Sequence, residues 1–493
     1  MTLSKYVGVM AGGLVLAGVA NAQDYQAEIA QLRAELAQVK AQNGDKWLTE
    51  ERATEIKGLV KDVLADAETR ASLQQTAATS GYDNGFFIGS ADGNFKLKIN
   101  ALEQMRWTFN NMNADQVRGG SDDEPGTGPN TEWGFENRRT QLTFSGNVVD
   151  PSFTYMARFN YGSTADPYTP NSLSYGGFTS PTIYGSSPGM VLQDAWFAKD
   201  FGGGLSVKVG QFKTPFMGES LRDDGNQLTA ERSTIDYIFS AGYQQGIMAT
   251  YSADMFRVMG SYANGPRGQN QNWTTGTTSF NFAVRGEVKL MGNWNEFASE
   301  SATKSDETGL VVGAAIMYYN NRGVDNNPYN PAVENIAYQP FGFTSRNLYW
   351  TVDTTFKWSG LSVYAAFVGQ NFNEIEDGLG TENQYGMVVQ GGYRVTDAIE
   401  VFGRWEWYDV LQSNFVGGGD PGDKDINNIL TFGVNVYAMS NVKWTTQVGI
   451  SLGNMSGIGG LNAMTGAGWR DNQGTVGDNE TQVNIISQLQ VSF

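Results

Sequence analysis

The amino-acid sequence predicts an all-β fold, a 16-stranded antiparallel transmembrane β-barrel, with a short α-helical coiled-coil segment ahead of it. Three observations carry the prediction. Segments of roughly ten residues alternate apolar and polar side chains with period two, as strands do when one face meets lipid and the other a wet lumen. The connections between these segments alternate long and short, as external loops and periplasmic turns do in such barrels. Trp107, Trp350, Trp358, Trp405, Trp407 and Trp444 all share parity with the apolar face of their segments, where an interfacial girdle places amphipathic rings.

The elements follow in order. Residues 1–22 read as a secretory leader, with Lys5 as its positive region, an apolar run from Val7 to Ala20 and an Ala20-Asn21-Ala22 cleavage site, so the mature chain is expected to begin at Gln23. That run is too short to span a bilayer, and no other stretch approaches the ~18 uncharged apolar residues of a membrane helix. Residues 23–84 are expected to form a helical periplasmic stem. Tyr25, Ile29, Leu32, Leu36 and Val39 fall on alternating d and a positions of a coiled coil, with Glu28, Arg33, Glu35 and Lys40 on other faces. A coil this short needs a larger oligomer for stability; an amphipathic helix packing elsewhere is the alternative. A second helix is expected over residues 49–75, with Ile56, Leu59, Val60, Val63 and Leu64 on one face, followed by a turn from Gly81 to Gly85.

The barrel is expected over residues 85–493. Its strands begin near Phe95, Phe135, Ser152, Val191, Leu205, Gln245, Met255, Phe280, Gly309, Arg346, Leu361, Gln384, Ala398, Asn428, Asn441 and Thr481. The last is the clearest: Val483, Ile485, Leu489, Val491 and Phe493 alternate with Gln482, Asn484, Gln488, Gln490 and Ser492. Its terminal aromatic resembles the C-terminal signal of bacterial outer-membrane barrels, so Phe493 is expected to serve as an assembly signal read by their assembly machinery. In the first strand Glu103 interrupts the apolar face, which suggests a subunit contact or a bulge. Among the short connections one is long, residues 291–308.

Composition excludes several functions. The chain has no histidine and no cysteine, which removes the usual general base and the commonest metal ligand. No catalytic residue, cofactor or metal is expected. With Lys5 removed, 32 Lys+Arg stand against 51 Asp+Glu, a formal charge of −19, which argues against nucleic acid. The strand parity nevertheless points thirteen basic side chains inward: Lys96, Lys98, Arg106, Arg139, Arg158, Lys208, Arg257, Arg285, Lys289, Lys357, Arg394, Arg404 and Lys443. Only Glu287, Asp353, Glu400 and Glu406 oppose them. Rings of Arg and Lys select anions in pores. The third long connection, residues 214–244, carries Arg222, Asp223, Asp224, Glu231, Arg232 and Asp236 together with Phe216, Tyr237, Phe239 and Tyr243. A loop so rich in apolar groups is expected to fold into the lumen, with Arg222 or Arg232 across from the basic wall. The candidate pore-lining, anion-binding residues are thus Lys96, Lys98, Arg106, Arg139, Arg158, Lys208, Arg222, Arg232, Arg285 and Lys289.

Particular phrases resemble the phosphate-selective porin O and P family. Phe95-Lys-Leu-Lys-Ile99 is similar to its first strand, Gly134-Phe-Glu-Asn-Arg-Arg139 with Leu142-Thr-Phe-Ser-Gly146 to its second, Val209-Gly-Gln-Phe-Lys-Thr-Pro-Phe216 to its GQFK-x-PF strand end, and Glu231-Arg232-Ser233 to its ERS element. The resemblance covers about residues 85–493. It implies a homotrimer in the bacterial outer membrane, in contact with the lipid bilayer and lipopolysaccharide, that passively conducts small hydrophilic solutes, anions or phosphate among them. The arginine ladder of the best-known members has no match here. The alternative function is structural: a stem that ties the outer membrane to the cell wall or envelope.

Overall fold

A computed structural model describes residues 78–112, 130–161, 190–265, 270, 280–321, 345–374, 381–411, 424–453, 455, 467–470 and 481–493, with helical residues 30–31, 33–35, 37–38 and 54–62 near the N-terminus. The leader lies outside these residues, as does most of the heptad segment. The chain divides into two units, Met1–Ala77 and Ala78–Phe493. No described helix is long and apolar enough to cross a membrane.

The second unit opens with a small hairpin, β1 (Thr79–Tyr82) and β2 (Phe86–Gly89), and continues with sixteen longer strands. These are β3 (Lys96–Met112), β4 (Thr131–Asn147), β5 (Phe153–Tyr161), β6 (Met190–Asp200), β7 (Leu205–Lys213), β8 (Tyr243–Ser252), β9 (Phe256–Ala263) and β10 (Phe280–Met291). They are followed by β11 (Gly309–Asn321), β12 (Ser345–Trp358), β13 (Leu361–Glu374), β14 (Thr381–Arg394), β15 (Ile399–Leu411), β16 (Lys424–Met439), β17 (Val442–Ser451) and β18 (Gln482–Ser492). Each pairs antiparallel with its sequence neighbours, and β18 pairs with β3, so the sheet closes on itself. Closure leaves no lipid-exposed edge, the condition for strands to cross a bilayer.

Burial is inverted relative to a soluble fold, for the reason the alternation anticipates. In β18, Gln482, Asn484, Gln488 and Gln490 are buried, while Leu489 and Phe493 are exposed. Around the outside, Trp358, Trp405 and Trp444 are exposed with Phe282, Ile316, Val352, Phe367 and Phe432. The two-residue turn between β12 and β13 needs left-handed backbone, which Ser359 (φ 45°) and Gly360 (φ 87°) supply.

Two features depart from the simple barrel. β18 ends where Phe493 exchanges backbone hydrogen bonds with Ala101. β3 continues below that point, and β2 takes up its edge there, from Phe86 opposite Ile99 to Gly89 opposite Lys96. The Phe86 and Phe493 rings meet edge to face at 6.2 Å. A β-bulge also interrupts the β3–β4 register, with Gln104 opposite Arg139 and Met105 opposite Asn137. Arg138 is the extra residue. Because a bulge leaves one residue out of the alternation, the consecutive Arg138 and Arg139 are both buried inside the barrel.

Candidate functional site

The lumen is built around the connection between β7 and β8, residues 214–242. Its apolar residues explain why it folds inward. Phe216, Met217, Ile235, Tyr237 and Phe239 are buried against Ala283, Met317, Tyr364, Val388 and Ile429 of the inner wall. Burial of each large side chain contributes about 1.5–3 kcal/mol, more than a loop floating in solvent could recover. A short helix, α1 (Thr234–Phe239), is capped by Ser233, whose hydroxyl accepts from Asp236 N at 3.0 Å. From the last long connection Met455, Ala467 and Trp469 join the same cluster.

Polar contacts fix the rest of the loop across the lumen. Lys443 Nζ donates to Gln227 O at 2.7 Å, Asn435 Nδ2 to Leu228 O at 2.8 Å and Ala230 N to Gln447 Oε1 at 2.9 Å. At its centre Glu231 sits among three guanidiniums of the opposite wall. It accepts from Arg138 Nε at 2.8 Å and Arg106 Nη2 at 3.0 Å, and pairs closely with Arg139. Burial alone would raise the Glu231 carboxyl, but the charges of Arg138, Arg139 and Arg106 outweigh it and hold the group well below the usual range. Asp224 is held low in the same way by Arg232 and Arg139.

The expectation that Arg222 or Arg232 faces the basic wall is not met; Glu231 does. Arg222 turns to the other side, donating to Thr355 Oγ1 at 2.6 Å, lying 4.8 Å from the Tyr364 ring centre and pairing with Glu300 at 3.4 Å. Arg232 is spent within its own loop on Asp224 and on Asp236 at 3.9 Å. The wall arginines are engaged as well. Arg158 meets Asp223 at 2.8 Å and Asp194 at 3.6 Å, and Arg285 meets Asp353 at 2.7 Å and Glu287 at 2.8 Å. Lys289 pairs with Asp254 at 3.2 Å.

The lysines differ. Among the described residues Lys96, Lys98, Lys208, Lys357 and Lys443, with Arg394, have no carboxylate within 4.0 Å. Lys96 lies over the Phe87 ring at 4.8 Å and Lys208 over the Trp196 ring at 4.2 Å. Lys357 donates to the carbonyls of Glu296 at 2.5 Å and Ser301 at 2.6 Å. Every one of the six stands within four residues of a periplasmic strand end, roughly 10 Å at the rise of a strand. Carboxylates stand at that level too, Glu287, Glu296, Asp306 and Glu400 among them, with Asp150, Asp254 and Asp397 in the turns; Glu400 accepts from Tyr437 Oη at 2.6 Å, Ser301 Oγ at 2.9 Å and Asn435 Nδ2 at 3.0 Å.

Arg138 escaped the strand parity because the bulge displaces it, and its partner Glu231 lies 93 residues away. Phe493 stands on the outer face, exposed, at the end of β18. Among the described residues no group of His, Cys, Asp and Glu could hold a metal ion.

A closed barrel of sixteen strands, apolar outside and polar within, its third long connection folded across the lumen, defines a porin of the bacterial outer membrane. The sequence profile of the family described as "Phosphate-selective porin O and P" matches residues 120–449, more than half of the chain. The chain belongs to that family and is a passive channel. Comparison with curated proteins gives no match. Among solved structures the chain is similar to an anion-selective porin from Comamonas acidovorans, at 10% identity and TM-score 0.49, covering 80% of this chain and 99% of that one. It is similar also to OmpT of Vibrio cholerae in its trimer form, at 11% identity and TM-score 0.46, with coverage of 80% and 99%. A third likeness is to the outer membrane channel DcaP of Acinetobacter baumannii, at 11% identity and TM-score 0.44, with coverage of 80% and 97%.

Proposed function

We propose that this porin passes small anions in preference to cations, and that lysines rather than arginines set the preference. The observation that supports this is the periplasmic belt of Lys96, Lys98, Lys208, Lys357 and Lys443, lysines without a carboxylate within 4.0 Å among the described residues, whereas the lumen arginines Arg106, Arg139, Arg158 and Arg285 are each paired with one. A charge already paired adds little to the field that a passing ion meets, whereas one without a close counter-charge in a confined, poorly screened lumen adds more. The arginines serve instead to seat the loop 214–242. Lysine binds phosphate as a point charge and lacks the bidentate fork of a free arginine, so this reading expects chloride and phosphate to share the path.

We propose further that the functional unit is a homotrimer, supported by family membership and by the heptad spacing of Tyr25, Ile29, Leu32, Leu36 and Val39. A lumen furnished with paired and unpaired charges favours a channel over a purely structural envelope link. The test is the zero-current potential of purified protein across a KCl gradient, followed by addition of phosphate. Chloride passing more readily than potassium, with phosphate lowering the chloride current, supports the reading; cation preference overturns it.

A further inference from the structure

The connection from β10 to β11, residues 292–308, is the one long member of the short, periplasmic set, and it also turns into the barrel. Its 3₁₀ turn, Trp294–Ala298, carries a capping box between Asn293 and Glu296. Trp294 Nε1 donates to Asp254 O at 2.9 Å, and the Arg257 guanidinium lies 4.8 Å from the Trp294 ring centre. Phe297 of the turn and, beyond it, Glu300, Ser301 and Ala302 are buried. A solvent-facing periplasmic turn has no reason to bury a glutamate.

Glu300 reaches the tip of the constriction loop by three contacts. Its backbone N–H donates to Asn226 O at 2.9 Å, its carboxylate accepts from Leu228 N at 2.8 Å, and it pairs with Arg222 at 3.4 Å. Two connections from opposite membrane faces are thereby joined inside the lumen. Two spaces lie on the periplasmic side of the loop tip, meeting at Gly225, Asn226, Asn441 and Ser492. One, about 330 Å³, lies between residues 295–306 and the wall at Lys357, Tyr437 and Lys443. The other, about 840 Å³, lies against β3–β5, lined by Asn100, Thr143, Ser145, Met156, Arg158 and Asp223.

We propose that residues 292–308 form a second, periplasmic constriction element, with Glu300 as the positioning residue that joins it to the tip of the loop 214–242. Solute then leaves through the wider space against β3–β5, and the narrower space stays off the path while the junction holds. A buried carboxylate bonded to a backbone N–H and a guanidinium is costly to remove, because the Leu228 N–H loses its acceptor and the buried Arg222 its counter-charge. A periplasmic change that frees Glu300 would open the second route.

The chain has no cysteine, so single cysteines report cleanly. Ser145→Cys and Ser299→Cys place a thiol in the wider and the narrower space. Each is treated from the periplasmic side with a bulky anionic thiol reagent while single-channel current is recorded. The expected result is loss of most of the current for Ser145→Cys and none for Ser299→Cys. In the Glu300→Ala background the steady conductance level is expected to give way to flicker between levels, and reagent at Ser299→Cys now reduces the current. Equal block at both positions in the wild-type background, or block at neither, overturns the one-sided exit. Wild-type steady conductance in both Glu300→Ala and Glu300→Gln overturns the positioning role. The cysteine measurements in the wild-type background stand even where Glu300→Ala fails to assemble.

Discussion

Glu231→Ala removes the carboxylate that three arginines share, and it should unseat the constriction loop without opening the barrel. The side chain is fully buried and takes charge-assisted bonds from Arg138 Nε and Arg106 Nη2, with Arg139 paired beside them. Removing one partner of such a buried constellation costs about 3–5 kcal/mol. The lower figure applies, since each guanidinium keeps another acceptor: Arg106 has Gln488 Oε1 at 2.6 Å, Arg138 has Tyr237 Oη at 3.2 Å and Arg139 has Gln104 Oε1 at 2.8 Å. A loss of about 3 kcal/mol shifts the seated-to-unseated ratio roughly 10²-fold. The strands are unaffected, because their pairing is backbone to backbone. Two assays read the outcome. Trypsin should cut after Arg222 or Arg232 in the variant and not in the wild type, and conductance should rise. Glu231→Gln keeps the shape without the charge and should fall between. A Glu231→Ala protein with wild-type conductance and an uncut loop would refute the reasoning.

Other consequences are open to measurement. Burial, with Asp236 and Glu300 adding to it, pushes the Glu219 carboxyl up to about 8, although the Ser233 hydroxyl donates to it at 2.5 Å and Arg404 pulls it down. The folded loop thus holds a proton that the unfolded chain has released, so stability of the seated loop falls as pH rises from about 4.5 through 8; conductance should climb between pH 6 and pH 9 in the wild type and stay level in Glu219→Gln. Phe493→Ala should lower the amount of protein in the outer membrane while leaving secretion to the periplasm intact, and normal heat-modifiable protein at wild-type abundance would count against an assembly role. Deleting residues 23–45 should weaken a trimer in mild detergent more than it changes the circular dichroism of the barrel; a wild-type protein that is monomeric at every concentration sinks the trimer.

Much of the barrel is legible in the sequence because its signal is local. Each strand carries its own alternation, and the turns that bound it lie within a few residues. The hairpin of β1 and β2 is hidden because four-residue strands such as Thr79–Tyr82 hold too little pattern. The site is less legible, since its partners meet across the lumen. Parity picks out Arg106 and Arg139 as inward, yet nothing near them in sequence says that Glu231, ninety and more residues away, pairs with both. Counting wall charges alone therefore overstates the arginines. Arg138 is hidden by the bulge, and the inward course of residues 292–308 shows in the sequence only as unusual length. Which cations are paired and which are free is a property of the folded loop.

The most direct test of this division sets two variants side by side in a KCl gradient and reads the zero-current potential of each. Lys96→Gln, Lys98→Gln, Lys357→Gln and Lys443→Gln combined should abolish the preference for chloride, because those charges have no close carboxylate among the described residues. Arg222→Ala with Arg232→Ala should raise conductance and weaken the preference less than the lysine variant does, because the lysine belt is left in place even though Glu300 and Asp236 lose these partners. A lysine variant that keeps its chloride preference, beside an arginine variant that loses it, would contradict the account.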